Sequence, residues 1–402
     1  MEEARRQENK QVLKVLEALK RASQDLKNKP SCRKEDSNSS AIKALLELET
    51  EADNILSKDP NLSSLSNYLS NLKNLVNNLE KSQGGHSIRS FLRRRVSNHE
   101  ISRVAESIET EIQAWIDRES VENLVKVLQK SVDEDEKVKL LAQFENRVLQ
   151  GFNRDLQDLV LKWKVFNALE SVLCNSKSSK RIREKSAFAI GALVQFNKDV
   201  FVGEVLMGPT VRALISMASV GSIQVLCSLI RSIKSPLVDE IESNGEIPKI
   251  ISLLSVEEPS IRVMAMDCVL EIGYFGRKEA IEAMLEEGLV KKLVELQRSE
   301  LGGDLIDMGR FEEKENRGVC VGGVEIESRG KKEESRERKF LESRPFASCV
   351  ARFWIQMEVG EGLRQREKRA FKQEILSSVR EACVSDSEAA TILAEVLWGS
   401  SP

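Results

Sequence analysis

Apolar positions in the middle of the chain recur at i, i+3, i+4 and i+6 in short words that return at a near-constant distance. Val211, Leu214, Ile215 and Met217 form one word, Ile247, Ile250, Ile251 and Leu253 the next, and Val290, Leu293, Val294 and Leu296 another. The template also fits Val165-Phe-Asn-Ala168-Leu169 and Val121-Glu-Asn-Leu124-Val125, so the starts at 121, 165, 211, 247 and 290 lie 44, 46, 36 and 43 residues apart. This spacing predicts a helix with one apolar stripe. Its recurrence at this period predicts a stack of helical repeats in which no copy buries its stripe without a neighbour. Longer apolar helices, Ile182 to Phe196 and Ile261 to Phe275, are expected between the words.

The residues that join the words carry a resemblance. Gly245-Glu-Ile247-Pro248 is similar to the glycine, small residue, isoleucine, proline start of a long helix in an armadillo repeat, and Gly208 and Gly288 stand before two other words. A glycine there can end the preceding helix in a left-handed turn, and Pro248 suits a first helical turn, where its missing N–H has no partner to lose. Residues 119–299 are therefore expected to form a right-handed armadillo/HEAT-like α-solenoid within an all-α chain.

Residues 1–118 show four helical stripes outside the repeat template, which predict an N-terminal bundle. Val12, Leu16, Leu19 and Leu26 mark the first; Ile42, Leu45, Leu46, Ala52 and Ile55 the second; Leu62, Leu65, Leu69, Leu72, Val76 and Leu79 the third; Ile101, Val104, Ile108, Ile112 and Trp115 the fourth. Gly84-Gly85 breaks the chain before the last stripe, and Ser97-Asn-His-Glu100 has the form of a capping box that starts it. A helical bundle ahead of such repeats resembles the plant armadillo-repeat superfamily, in particular plant U-box/armadillo proteins. Those carry a U-box of about 70 residues between bundle and array; here the last bundle helix runs directly into Val121 and the U-box is missing. Ligase activity is not carried over, and an accessory part in a ubiquitin-ligase pathway stays open as an alternative.

After Leu296 the rhythm stops. Residues 300–342 hold seven of the 21 glycines and the run Lys331-Lys-Glu-Glu-Ser-Arg-Glu-Arg-Lys339. They are expected to be a disordered insertion in a loop of the array, because so little apolar surface cannot offset chain entropy. Residues 343–402 return to helical text and are expected to complete the solenoid. Phe346-Ala-Ser-Cys-Val-Ala-Arg-Phe353 and Gly360-Glu-Gly-Leu-Arg-Gln-Arg-Glu-Lys-Arg-Ala370 are similar to the closing segment of a group of plant armadillo-repeat proteins.

Composition narrows the function. The 402 residues are 41% hydrophobic and only 5% aromatic, which favours helices. A formal charge of -3 gives no global pull toward nucleic acid or anionic membrane, so no nucleic-acid partner is expected. Seven scattered cysteines, with Cys174, Cys227 and Cys268 in apolar helical text, read as reduced core thiols. No signal peptide or run of about 18 apolar residues occurs, which places the protein in the cytoplasm or nucleus. There is no C-x-x-C, no Gly-rich phosphate loop and no nucleophile elbow, and His86 and His99 lie far from any cysteine. No enzyme, cofactor or metal site is expected.

Function then rests on the array. The armadillo resemblance implies a groove built from the last helix of each repeat, where relatives carry a tryptophan and an asparagine that hold an extended peptide. The matching positions here are Phe188 and Ala192, Ser228 and Ser232, and Asp267 and Glu271. They form a candidate partner-binding groove without that ladder. Asp267 and Glu271 share one helix face, and Arg262 is too far round the helix to neutralise them, so a partner with a basic or mixed segment is expected, against the alternative of solvated side chains on an exposed helix. Arg89, Arg93, Arg94 and Arg95 surround Phe91 and Leu92 as a candidate basic patch for lipid or phosphate, against the alternative of a solvated connection. They place Ser97 in a context basophilic kinases accept, and Ser97 as a helix N-cap explains it equally. The chain reads as a non-catalytic interaction scaffold; the alternative is a peripheral membrane adaptor working through the basic end of the bundle.

Overall fold

The computed structural model describes residues 12, 16–21, 63–81, 88–130, 133–304 and 339–398; for 63, 76–81, 88–98 and 101 it describes the backbone alone. Every regular element among the described residues is helical. The chain divides into two compact units, the first of residues 1–129 with 153–165, the second of 130–152 with 166–402.

The first unit contains α1 (Ser63–Lys81) and α2 (Ile88–Gln129). Leu16 and Leu19 of the first stripe, Leu65, Leu69 and Leu72 of α1, and Ala105, Ile108, Ile112 and Trp115 of α2 are all buried. Their three-and-four spacing keeps each set on one side of its helix, and α1 packs along α2 through it. Lys20 Nζ donates to Gln113 Oε1 at 2.5 Å, and Gln113 Nε2 donates to Asp117 Oδ1 at 2.6 Å, adding a polar tie. The second expected stripe, Ile42 to Ile55, lies outside the described residues.

Two expectations change at α2. The helix begins at Ile88, so Ser97 lies well inside it and does not start it. A capping box works only where the first-turn amides lack partners; nine residues in, the preceding carbonyls already hold them. The same helix runs through the expected boundary at residue 118 to Gln129. No breaker follows Trp115, and Val121, Leu124, Val125 and Leu128 extend the buried stripe, so the first repeat word belongs to the first unit.

The chain continues through α3 (Glu134–Leu149), α4 (Arg154–Lys162), α5 (Val165–Cys174), α6 (Lys180–Phe196), α7 (Lys198–Met207), α8 (Thr210–Met217) and α9 (Val220–Ile233). Then come α10 (Ser235–Ser243), α11 (Ile247–Ser252), α12 (Pro259–Phe275), α13 (Lys278–Glu286), α14 (Leu289–Arg298), α15 (Cys349–Val359), α16 (Gln365–Ala382) and α17 (Asp386–Trp398). Every third helix is a stacking helix: α3 packs on α6, α6 on α9, α9 on α12 and α12 on α15. The helices form triplets, α7-α8-α9, α10-α11-α12 and α13-α14-α15. The words starting at 211, 247 and 290 fall on the second helix of each triplet, α8, α11 and α14, and the word starting at 165 falls on α5, directly before the stacking helix α6.

The third helices are the core. Ile223, Val225, Leu226, Cys227, Leu229, Ile230 and Ile233 of α9 are all buried. Burying such a side chain contributes roughly 1.5–3 kcal/mol, against roughly 1–2 kcal/mol for ordering each residue's backbone, so one triplet alone gains little and the neighbours decide.

The linking glycines divide by mechanism. Gly245 (φ 64) and Gly288 (φ 75) take the left-handed turn, and Pro248 sits in the first turn of α11. Gly208 does not: its φ is -92, and a Cβ there would stand 2.6 Å from the Glu204 carbonyl oxygen, so close packing requires the glycine. Most of the expected insertion, from 305 to 338, lies outside the described residues. Its flanks place it between α14 and α15, the second and third helices of the last triplet. Among the described residues no single helix is long and apolar enough to cross a membrane; α7 and α8 together reach the measure, bent by 70°. Their apolar residues Phe201, Val205, Val211, Leu214 and Ile215 are packed in the core.

Candidate functional site

The face made by α6, α9, α12 and α15 gathers the expected groove residues. Stacking brings Phe188 on α6, Ser228 and Ser232 on α9, and Asp267 and Glu271 on α12 to adjacent rungs, each half-buried. Ala192 is different: at 4% exposure it belongs to the core and offers nothing to a partner. Gln195, one turn on, is exposed, and its Nε2 donates to Ser228 Oγ at 3.0 Å. Ser232 Oγ donates back to the Ser228 carbonyl at 2.9 Å, a local bond that a serine inside a helix commonly makes. Phe188 lies against Gly221 of α9, with Lys185 Nζ 5.4 Å from its ring centroid.

The expected bare acidic pair has arginines beside it on both neighbouring third helices. Arg231 Nε of α9 reaches Glu271 Oε1 at 3.2 Å. Asp267 feels Arg352 of α15 and Arg231 of α9. Burial pushes the Asp267 carboxyl above the usual range and the two arginines oppose it. Glu271 is also raised, by burial first and by the Asp267 charge, with Arg231 opposing. The rung reads Arg231, Glu271 and Asp267, Arg352, which alternates in sign across three helices. Spacing within one helix does not reveal these arginines, because they come from other repeats, which is where charges on a stacked face find partners. Further along, Lys234 Nζ meets Glu361 Oε2 at 3.0 Å.

Arg352 is itself held in place. Its Nη1 donates to the Pro345 carbonyl at 2.6 Å, and its backbone N–H donates to the Ser348 carbonyl at 2.9 Å. The last rung therefore depends on the segment that leads into α15.

Other expected positions scatter. Cys227 and Cys268 are fully buried, but Cys174 is exposed at the last position of α5, where Val165, Leu169 and Leu173 take the inward places. Partial burial and the Glu170 charge still push its thiol up. Burial drives Cys349 to about 12, and a hydrogen bond with Cys227 leads the causes that raise Cys268, which leaves both thiols protonated and unreactive near neutral pH. His99 is exposed on α2, while His86 lies outside the described residues. Among the described residues no group of three or more His, Cys, Asp or Glu is placed to hold a metal ion. Arg89, Arg93, Arg94, Arg95 and Ser97 lie on α2, with their side chains outside the described residues.

No protein-family model and no curated protein matches the chain. Among solved structures, an engineered protein is similar at 15% identity and a TM-score of 0.42, over 69% of this chain and 99% of its own. The designed armadillo repeat protein YIII(Dq)4CqI is similar at 13% identity and a TM-score of 0.40, over 68% of this chain and 98% of its own. A computationally designed armadillo repeat protein for modular peptide recognition gives 14% identity and 0.40, over 68% and 98%. With each score below 0.5, the reading of the face rests on the helix stacking itself.

Proposed function

We propose that the chain is a non-catalytic interaction scaffold of the armadillo type, cytoplasmic or nuclear, whose face on α6, α9, α12 and α15 binds another protein. The observation that carries this reading is the alternating rung of Arg231, Glu271, Asp267 and Arg352. It sets the half-buried carboxylates of Asp267 and Glu271 among arginines from the neighbouring repeats, where a merely solvated helix would leave them free. Fixed polar groups on a rigid stack recognise a partner without first paying for ordering. Because arginines stand on the helices to either side of the two acids, a partner segment of mixed charge fits the face better than a basic one. The glycine–isoleucine–proline turn at 245–248 and the helical first unit support a relation to plant armadillo proteins that lack a U-box.

Photo-crosslinking tests the reading. A crosslinking residue at Ser228 should capture a defined protein in cells, and one at the exposed Lys291 of α14 should not. Equal capture from both positions, or none from Ser228, would sink it.

A further inference from the structure

The residues that follow α14 as far as Asp304 and those that lead into α15 are bonded to each other. Phe346 N–H donates to the Leu301 carbonyl at 3.1 Å, and Ser348 N–H donates to the Gly303 carbonyl at 2.9 Å. Arg344 Nη1 donates to the Gly302 carbonyl at 3.4 Å. This neck is tight, since a Cβ on Gly302 would fall 2.0 Å from the Gln297 carbonyl oxygen.

A single carboxylate from the last helix holds both sides. Glu395 of α17 is 4% exposed. Its Oε1 accepts from Ser348 Oγ at 2.5 Å, on the re-entry side, and its Oε2 accepts from Gln297 Nε2 at 3.1 Å, on the exit side. Gln297, 5% exposed, also donates to Asp304 Oδ1 at 2.9 Å. Ser348 sits in the left-handed region (φ 45), and it is the residue whose carbonyl anchors the Arg352 amide. A buried carboxylate that bridges two segments far apart in sequence is either satisfied whole or strongly unfavourable, which gives two states and little between.

The rest of α17 is held lightly. Only Ile392, Glu395 and Val396 of its thirteen residues are buried. Trp398 is 82% exposed, and Leu397 and Val384 also face outward. A cleft of about 510 Å³, lined by Arg380, Cys383, Ala389 and Leu393 among others, opens where α16 turns into α17. At the same end Arg298 forks onto Glu388, 2.8 and 3.0 Å, through groups that water reaches. An element with so few buried contacts opens more readily than the stack beneath it.

The geometry points to α17 as a releasable latch on the recognition face: while Glu395 is seated, the neck is closed and Arg352 stays beside Asp267; when α17 lifts, Ser348 and then Arg352 lose their anchor. The inference rests on the proposed recognition face for its purpose, but not for its mechanism. Release changes the sign pattern of the last rung, so whatever draws α17 away alters what the face can hold.

Hydrogen exchange on the full chain tests the latch without any partner. In Glu395→Ala the amides of Gly303, Phe346, Ser348 and Arg352 should exchange at least ~tenfold faster, while those of α9 and α12 keep wild-type protection. Unchanged exchange at the four neck amides would overturn the latch. If the alanine variant loses protection throughout the second unit, the isosteric Glu395→Gln decides. Its neutral amide replaces two charge-assisted bonds with weaker neutral ones and obliges Ser348 Oγ to turn from donor to acceptor or Gln297 Nε2 to face another donor, so the same four amides should speed up with the stack intact; wild-type exchange there would overturn the latch. Crosslinking from Ser228 in Glu395→Gln then separates the two readings. Faster neck exchange with changed capture supports both, and faster exchange where even the wild type captures nothing supports the latch and sinks the recognition face.

Discussion

The middle triplet α10-α11-α12 and the last triplet α13-α14-α15 are built from the same kind of helices but held by different means. In the middle, the third helix packs between two like helices, and its buried side is apolar, with Ala265, Met266, Cys268, Val269 and Ile272, while the charged rung lies on its outer side. At the end, α15 has a like helix on one side only. The missing neighbour is replaced by α16 and α17, and by buried polar groups: Glu395 on Ser348 and Gln297, and Lys368 on the last turn of α15. Repetition supplies stability where both neighbours exist; where the repeat stops, specific hydrogen bonds must take over, and those are directional and can be undone.

The largest expected effect separates the two means most sharply. Leu226 on α9 is fully buried between α6 and α12, and Leu226→Ala should cost ~2–5 kcal/mol, because the packed stack cannot collapse into the hole. Ile392 on α17 is also buried. Ile392→Ala should instead act locally, with faster amide exchange in α17 and the neck and a smaller loss of melting temperature. Equal global losses for both variants, measured by thermal denaturation, would show that the end is as cooperative as the middle.

Next in size is the polar lock itself. Lys368 Nζ, buried, donates to the Glu358 carbonyl at 2.6 Å and the Gly360 carbonyl at 2.9 Å, so an ammonium satisfies the carbonyl end of α15. Lys368→Met keeps the apolar stem and removes the donor. It should cost ~1–3 kcal/mol in chemical denaturation, since two carbonyls lose a charged partner.

The difference between triplets also explains what could be read from the chain. Apolar spacing located α5, α8, α11 and α14, and the long third helices, because burial in a stack is periodic and needs only residue type. Gly245 and Gly288 were legible for the same reason: the turn they make is local. Ser97 was misread because a capping-box pattern carries no information about whether a helix has already begun. The arginines beside Asp267 and Glu271 were out of reach, since pairing across rungs depends on how helices stack and not on spacing within one. Glu395 was equally hidden, as its partners stand 47 and 98 residues away in sequence.

Acid titration should pull the two regions apart, with smaller effects of opposite sign. Asp267 in the middle has its carboxyl raised by burial, so its ionised form costs stability at neutral pH. That cost fades as pH falls through the raised value toward the ordinary range near 4. Glu388 at the end is lowered, chiefly by the Arg298 hydrogen bonds. Its contribution is present above the ordinary range and is lost as pH falls through its lowered value. Asp267→Asn should therefore melt higher than wild type at pH 7, with the gain shrinking toward pH ~4. Glu388→Gln should melt lower at pH 7, with the deficit closing only below pH ~4. Parallel pH profiles for the two variants would contradict the assignment.

The smallest effect asks whether strain is tolerated for a reason. Ala218 ends α8 at φ 46, ψ 49, and Ser348 begins α15 at φ 45, ψ 37, two side chains in nearly the same left-handed conformation. That conformation costs a residue with a Cβ roughly 1–2 kcal/mol relative to its ordinary regions, and glycine escapes it while gaining freedom in the unfolded chain. Ala218 has no polar side-chain atom to repay the strain, so Ala218→Gly should be neutral to stabilising by up to ~1 kcal/mol. Ser348 relieves the same strain on going to glycine, but it gives up the hydroxyl that donates to Glu395 and leaves a buried carboxylate oxygen without that donor. That loss is ~1–3 kcal/mol, so Ser348→Gly should be net destabilising despite the easier backbone. Denaturant midpoints of the two glycine variants, measured side by side, should lie at or above wild type for Ala218→Gly and below it for Ser348→Gly. If both rise, the hydroxyl contributes nothing, and the end of the array is held by apolar packing like its middle.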